Sequence, residues 1–261
     1  MHTQTYPTDM TDRQWDCIKD LIPAAKPGGR PRSLELRQVI NAIRSILVSG
    51  IQWRMLPKDY PKRQSVYHYV RQWRDDGTWQ RIHDTSRAAV RRQAGRHKHP
   101  TAGALDSQSV TTTPVPGERG DDSGKRIKGR KRHSLGDTRG WLLVVVVPTA
   151  AVSENAGARL VLTRLGGSGK KRRRIWVDGG YRGALLDWAG EQYHRIRERV
   201  RRPAEQKGFG VLARRWVVER TFAWLTRCRR LSMDDEGLPT SSAAWISLAM
   251  IRVMIRRMAH D

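Results

Sequence analysis

Only two of the 261 residues are cysteine and two are phenylalanine. Cys17 and Cys228 have no CxxC partner or histidine pair nearby, so neither a disulfide framework nor a zinc site is expected. The first eleven residues are polar and include Pro7, which does not resemble a secretion signal. No apolar run approaches the roughly 20 residues that a membrane span needs. The longest is Trp141 to Val147. A reducing, cytoplasmic setting with no membrane partner is expected. Negative charge is scarce as well, with 25 Asp and Glu against 50 Lys and Arg, a formal net charge of +25.

The chain is 38% hydrophobic and carries 10 Trp, enough to bury a core and to exclude wholesale disorder. The cationic excess recurs at Arg71–Arg74, Lys125–Arg132, Lys170–Arg174, Arg195–Arg202 and Arg227–Arg230. Such patches neutralise phosphates and release counterions, so double-stranded DNA is the expected partner. From charge alone, a ribosomal, histone-like or membrane-surface protein is the alternative.

Two domains are expected, 1–97 helical and 98–261 mixed. Thr11 caps a helix running to about Leu21, and Ser33 caps a second that stops at Gly50. A third begins near Ser65, burying Val66, Tyr69, Val70 and Trp73 and presenting Gln64, Tyr67, His68, Arg71 and Arg74. A fourth starts near Thr78. This is an all-α, helix-turn-helix-like DNA reader or a plain bundle, with Tyr67, His68 and Arg71 as candidate base readers. Arg30 and Arg32 suit a minor-groove arm or a helix-entry linker.

Beyond Pro100 the periodicity changes. Strands are expected at Ala102–Val110, Lys128–Asp137, Trp141–Val147 and Lys171–Val177, with a last one at His194–Val200. Helices are expected at Ala156–Leu165, Gly183–Ala189 and Leu212–Arg230, and a loop at Thr111–Gly124. The order is that of an α/β, ribonuclease H-like mixed sheet with flanking helices.

Three acids interrupt apolar stretches of this second part. Asp106 lies within the first strand, Asp178 follows the Lys171–Val177 strand, and Glu219 lies mid-helix. A charge among apolar neighbours is costly unless it is paired or binds metal. Trp216, Phe222 and Ala223 flank Glu219 on the helix, which places it on the packed face. Converging carboxylates suit Mg²⁺, with Mn²⁺ as a substitute. Two such ions can drive in-line displacement at phosphorus. Asp121, Asp122, Asp137, Asp187 and Glu191 rank below these three.

The motifs resemble those of bacterial DDE transposases of insertion sequence family five. The segments concerned are Thr11-Asp-Arg-Gln-Trp15, Gly29-Arg-Pro-Arg32, Gly50-Ile-Gln-Trp-Arg-Met-Leu-Pro57 and Trp73-Arg-Asp-Asp-Gly-Thr-Trp79. In the core they are Lys128-Gly-Arg-Lys-Arg-His133, Val177-Asp-Gly-Gly-Tyr181 and Arg215-Trp-Val-Val-Glu-Arg-Thr-Phe-Ala-Trp224. The resemblance implies a ribonuclease H-like fold and Asp106, Asp178 and Glu219 as ligands of two Mg²⁺ ions. It also implies terminal inverted repeats as substrate, strand cleavage and strand transfer, and a homodimer on DNA.

Related transposases place Tyr, Arg and Lys around the glutamate. Arg215 matches, but Leu212 and Thr226 replace the other two. Arg227 and Arg230 are expected to supply charge near that helical face. Arg215 reads as a phosphate clamp, with a salt bridge to Glu219 as the bland alternative. A nuclease without strand transfer, or an inactive DNA-binding relic, are the rival functions.

Overall fold

The computed structural model describes residues 6–25, 28, 32–166, 174–177, 185, 188–189, 191, 197–199 and 216–260. They fall in two compact units. One comprises Met1–Lys98, Thr226–Ser232 and Ala244–Asp261, and the other His99–Leu225 and Met233–Ala243.

In the first unit, α1 (Asp12–Asp16) opens under Thr11, whose hydroxyl accepts the N–H of Gln14 at 3.2 Å. The helix expected to reach Leu21 ends early and resumes as a 3₁₀ turn over Lys19–Leu21. Helix α2 (Leu36–Ser49) buries Val39, Ile40, Ile43, Ile46 and Leu47. Its N-cap is Glu35, and no side chain caps it. Ser33 lies two residues too early to reach the first free amides. The C-cap is Gly50, at φ 70, a left-handed conformation favouring glycine.

Helix α3 (Arg63–Asp75) buries Val66, Val70 and Trp73, while Tyr69, expected inside, is half-buried. Helix α4 (Thr78–Gln93) starts after left-handed Gly77, with the Asp76 carboxylate accepting the Thr78 N–H at 2.9 Å. The Trp73 and Trp79 rings meet edge-on at 5.0 Å and join α3 to α4.

The second unit is a six-stranded sheet. Strand β1 (Ala102–Thr111) is central, antiparallel to β3 (Ile127–Asp137) and parallel to β5 (Arg174–Val177). Strand β6 (Arg197–Arg199) continues beyond β5, while β2 (Gly120–Asp122) and β4 (Leu142–Val146) both pair with β3. The order β4-β3-β1-β5-β6, with β3 antiparallel to β1, is that of the ribonuclease H-like sheet expected from the sequence. Strand β2 lies within the segment read as a loop, because Asp122 is anchored. Its carboxylate accepts the Ser109 hydroxyl at 2.6 Å and pairs with Lys131 at 3.0 Å.

Strand alternation divides the core. Leu105, Leu135, Ile175 and Val177 share one face with Ala158, Val161 and Leu162 of α5 (Glu154–Leu165). On the other face Ala104 and Trp176, paired across β1 and β5, pack against Val218 and Phe222 of α6 (Trp216–Thr226).

A 20-residue helix, α7 (Pro239–Met258), follows. The strand–helix pattern does not include it. From Ala244 on it belongs with the first unit, burying Trp245, Ile246, Ala249, Met250, Met254 and Ile255.

Candidate active site

Asp106 lies two residues beyond Ala104 on β1 and therefore on the α6 side of the sheet. It is half-buried, opposite Ser134 of β3, and accepts the Ser107 backbone N–H at 2.7 Å. Val218, which packs on Ala104, immediately precedes Glu219 on α6. One apolar cluster thus sets the strand carrying Asp106 against the helix carrying Glu219.

Glu219 itself is exposed, not on the packed face. The buried positions of α6 are Val217, Val218, Thr221 and Leu225. At 3.6 residues per turn Glu219 stands about 100° from Val218. Its flanking residues Trp216 and Ala223 are exposed too, so their apolar character misled the sequence reading. An exposed carboxylate avoids the cost of burying charge and is open to a hydrated ion.

Asp178, Arg215, Leu212 and Arg30 lie outside the described residues, as does most of the expected Gly183–Ala189 helix. Strand β5 ends at Val177, the residue before Asp178. Among the described residues no three His, Cys, Asp or Glu side chains form a metal cluster. Asp106 and Glu219 supply hard oxygen donors of the kind Mg²⁺ takes.

The β3–β4 turn anchors α6. Asp137 is fully buried and accepts the N–H groups of Arg139 and Trp141 at 2.8 and 2.9 Å, closing the turn at left-handed Gly140. The Thr221 hydroxyl lies 2.9 Å from the Gly140 carbonyl. Arg220 donates to the Arg139 carbonyl at 2.7 Å and lies over the Trp216 and Trp224 rings, 4.4 and 5.0 Å from their centroids.

Two arginines of the Lys128–His133 motif are buried on the Asp106 face of β3. Arg130 donates to the carbonyls of Glu118, Glu236 and Gly237 at 3.0, 2.6 and 2.8 Å, and sits 3.4 Å from Asp234. Burial lowers the pKa of Arg132 to about 10, and Asp234 opposes the shift. Sequence reasoning placed this motif on a strand, as found, but did not foresee that its arginines are buried. A basic run usually means a solvated surface, and nothing local signals the distant carbonyls.

In the first unit Tyr67, His68 and Arg71 are exposed on α3, with Tyr67 edge-on to Trp53 at 5.2 Å. Arg32 donates to the carbonyls of Pro23 and Ala24 at 3.2 and 3.1 Å. Arg227 is exposed. Arg230, expected to supply charge beside Glu219, is instead buried in the first unit with its guanidinium 5.6 Å from the Trp245 ring centre.

The second unit is a mixed sheet backed by helices, with Asp106 and Glu219 carried on its α6 side. A family model described as a transposase DDE domain matches residues 97–254, more than half of the chain. The chain belongs to the DDE transposase family. A second model, of transposases of the IS4/5 family, matches residues 10–83. An uncharacterized 16.2 kDa protein of insertion element IS402 from Burkholderia cepacia is 29% identical over 105 residues, 38% of this chain and 70% of that protein. The crystal structure of the Mos1 strand transfer complex aligns over 91% of this chain and 81% of that one. At 10% identity and a TM-score of 0.24, that likeness carries no weight here. Among the described residues no helix is long and apolar enough to cross a membrane.

Proposed function

We propose that this transposase binds the terminal inverted repeats of an insertion sequence as double-stranded DNA. There it catalyses metal-dependent strand cleavage and strand transfer, working as a homodimer on DNA. The observation that carries this reading is the Ala104–Trp176–Val218 cluster, which draws the strand of Asp106 and the helix of Glu219 to one face of the sheet. Asp178 follows Val177, the last residue of β5, in sequence.

Asp106, Asp178 and Glu219 would hold the ions, Mg²⁺ or Mn²⁺. Bound there, two such ions supply charge neutralisation at the attacking and leaving oxygens. The protein's own task is positioning. Arg215 is placed by sequence one turn before Glu219 and suits a bidentate phosphate clamp. Arg227 stands ready for backbone phosphate, whereas Arg30 and Arg32 suit the neighbourhood of a minor groove. Tyr67, His68 and Arg71 form the exposed face that would meet base edges.

The division of labour proposed is DNA reading by residues 1–97 and chemistry by 98–261. Because Ala244–Asp261 packs within the first unit, the full chain is the right object for testing it.

Asp106→Ala, Asp178→Ala and Glu219→Ala should each abolish cleavage and strand transfer in Mg²⁺ while end binding persists, since phosphate contacts dominate affinity. Near-wild-type cleavage by one variant removes that residue from the site. Cleavage by the wild type without joining of 3′-hydroxyl ends would reassign the chain as a nuclease.

A further inference from the structure

We propose that Ser107 and Glu154 are positioning residues for the Asp106 carboxylate, acting from the face of the sheet opposite it. The inference rests on the reading of Asp106 as a metal ligand.

Successive strand residues point to opposite faces. Asp106 faces α6, and Ser107 faces α5. The Ser107 hydroxyl donates to a Glu154 carboxylate oxygen at 2.6 Å, while its backbone N–H donates to the Asp106 carboxylate at 2.7 Å. One residue therefore makes a bond on each side of the sheet. Tilting the 106–107 peptide changes both at once.

That peptide is held by β3, with Asp106 opposite Ser134 and Ser107 opposite His133. Pairing with β3 runs from Gly103 to Thr111 of β1. At Ser107 the side-chain tether to Glu154 adds to the hold of β3 on the strand.

The tether's far end is firmly placed. Glu154 lies in the first turn of α5, where a carboxylate is favoured, and Ser153 caps that helix by accepting the Ala156 N–H at 3.3 Å. Lys125 and Lys131 reach to 3.6 and 3.9 Å of Glu154. His133 lies directly opposite Ser107 in the β1–β3 register, fully buried, with its ring 3.9 Å from Glu154. Carboxylates that bind metal are commonly held by such outer partners, whose loss weakens metal affinity or activity about 10- to 100-fold.

The bland alternative is that this polar cluster only stabilises the fold. Ser109 is an internal control. It lies two residues on, equally buried on the same face, and its hydroxyl makes a 2.6 Å bond to Asp122, but it is not next to Asp106. A purely structural role makes Ser107 and Ser109 equivalent.

The test uses the full chain and titrates Mn²⁺, following free ion by electron paramagnetic resonance, alongside Mg²⁺ dependence of cleavage. Ser107→Ala should weaken Mn²⁺ binding about tenfold or more and raise the half-saturating Mg²⁺ by a like factor. The rate at saturating metal should change little. Ser107→Thr, which keeps the hydroxyl, should restore both, and Ser109→Ala should change neither. If Ser107→Ala fails to fold, Glu154→Ala, at a partly exposed position, must show the same metal defect. Wild-type Mn²⁺ affinity in the folded Ser107→Ala or Glu154→Ala chain overturns the proposal, as does an equal defect in Ser109→Ala. Asp106→Ala separates the two levels. If it binds Mn²⁺ as the wild type does, the metal-site reading falls and this proposal with it. If it loses Mn²⁺ while Ser107→Ala does not, only the positioning role is lost.

Discussion

The indole of Trp141 stacks on that of Trp224, with ring centroids 4.9 Å apart and planes 25° from parallel. Trp141 follows the β3–β4 turn, and Trp224 lies on the helix that carries Glu219. The stack and the Thr221–Gly140 contact hold that helix at two points one turn apart.

Trp224→Ala should therefore disturb catalysis before it disturbs binding. An aromatic pair is worth about 0.5–1.5 kcal/mol beyond its buried area. Stability should fall by about 2–3 kcal/mol, and the cleavage rate by at least tenfold at saturating DNA. DNA affinity should stay within about threefold. A stable Trp224→Ala chain that cleaves at the wild-type rate would show that the stack does not position Glu219.

Gly157 of α5 lies directly against the buried His133 ring, where an added Cβ would overlap the imidazole. The ring is enclosed and has nowhere to move. Gly157→Ala should cost about 1–3 kcal/mol by overpacking, despite alanine's better helix propensity. Urea unfolding measures this. A stabilised variant would mean that the α5–β3 contact is looser than described.

Burial pushes the His133 pKa down from 6.5 to about 4, with Glu154 pulling it up and Lys131 and Lys125 pushing it down. Between those values the unfolded chain binds a proton that the folded chain does not. The stability contribution is thus fully present above about pH 6.5 and is lost as pH falls towards 4. Its upper size is about 3 kcal/mol. Buried His83, whose pKa is also lowered by burial, acts in the same direction. His133→Gln should flatten the fall in unfolding free energy between pH 6.5 and 4. An unchanged slope would assign the whole effect to other groups.

Arg252 and Arg256 stand one turn apart near the end of α7. Burial first, then the charges of these two arginines, lower the Arg44 pKa to about 10. Arg44 donates to Gln14 at 2.8 Å, and among the described residues Arg44, Arg252 and Arg256 have no carboxylate salt bridge. Arg44 is buried, whereas Arg252 is half-buried and Arg256 exposed, so on the proposed reading these two would meet DNA phosphates. Arg252→Ala/Arg256→Ala should weaken binding to any duplex and reduce the slope of log K against log salt by about 2. An unaltered slope would exclude contacts there.

The sequence by itself determined the class of the second unit and its principal strands. Period-two and continuous apolar runs specify β1, β3, β4 and β5, because each strand buries a face regardless of its partners. The place of Asp106 on a largely buried strand was legible because its apolar neighbours mark that strand. The exposure of Glu219 was not, since a helix offers several possible faces and its partner chooses among them. Helix α7 escaped because the chain returns there to the first unit, and contact order cannot be read from periodicity. The fate of the basic motif was decided by tertiary structure alone. Arg130 is buried because carbonyls more than a hundred residues away come to meet it, and Arg230 because Trp245 covers it. Local pattern records which residues must leave water. Long-range packing decides where they go and which charges can follow, because a buried cation needs partners that only the folded chain brings together.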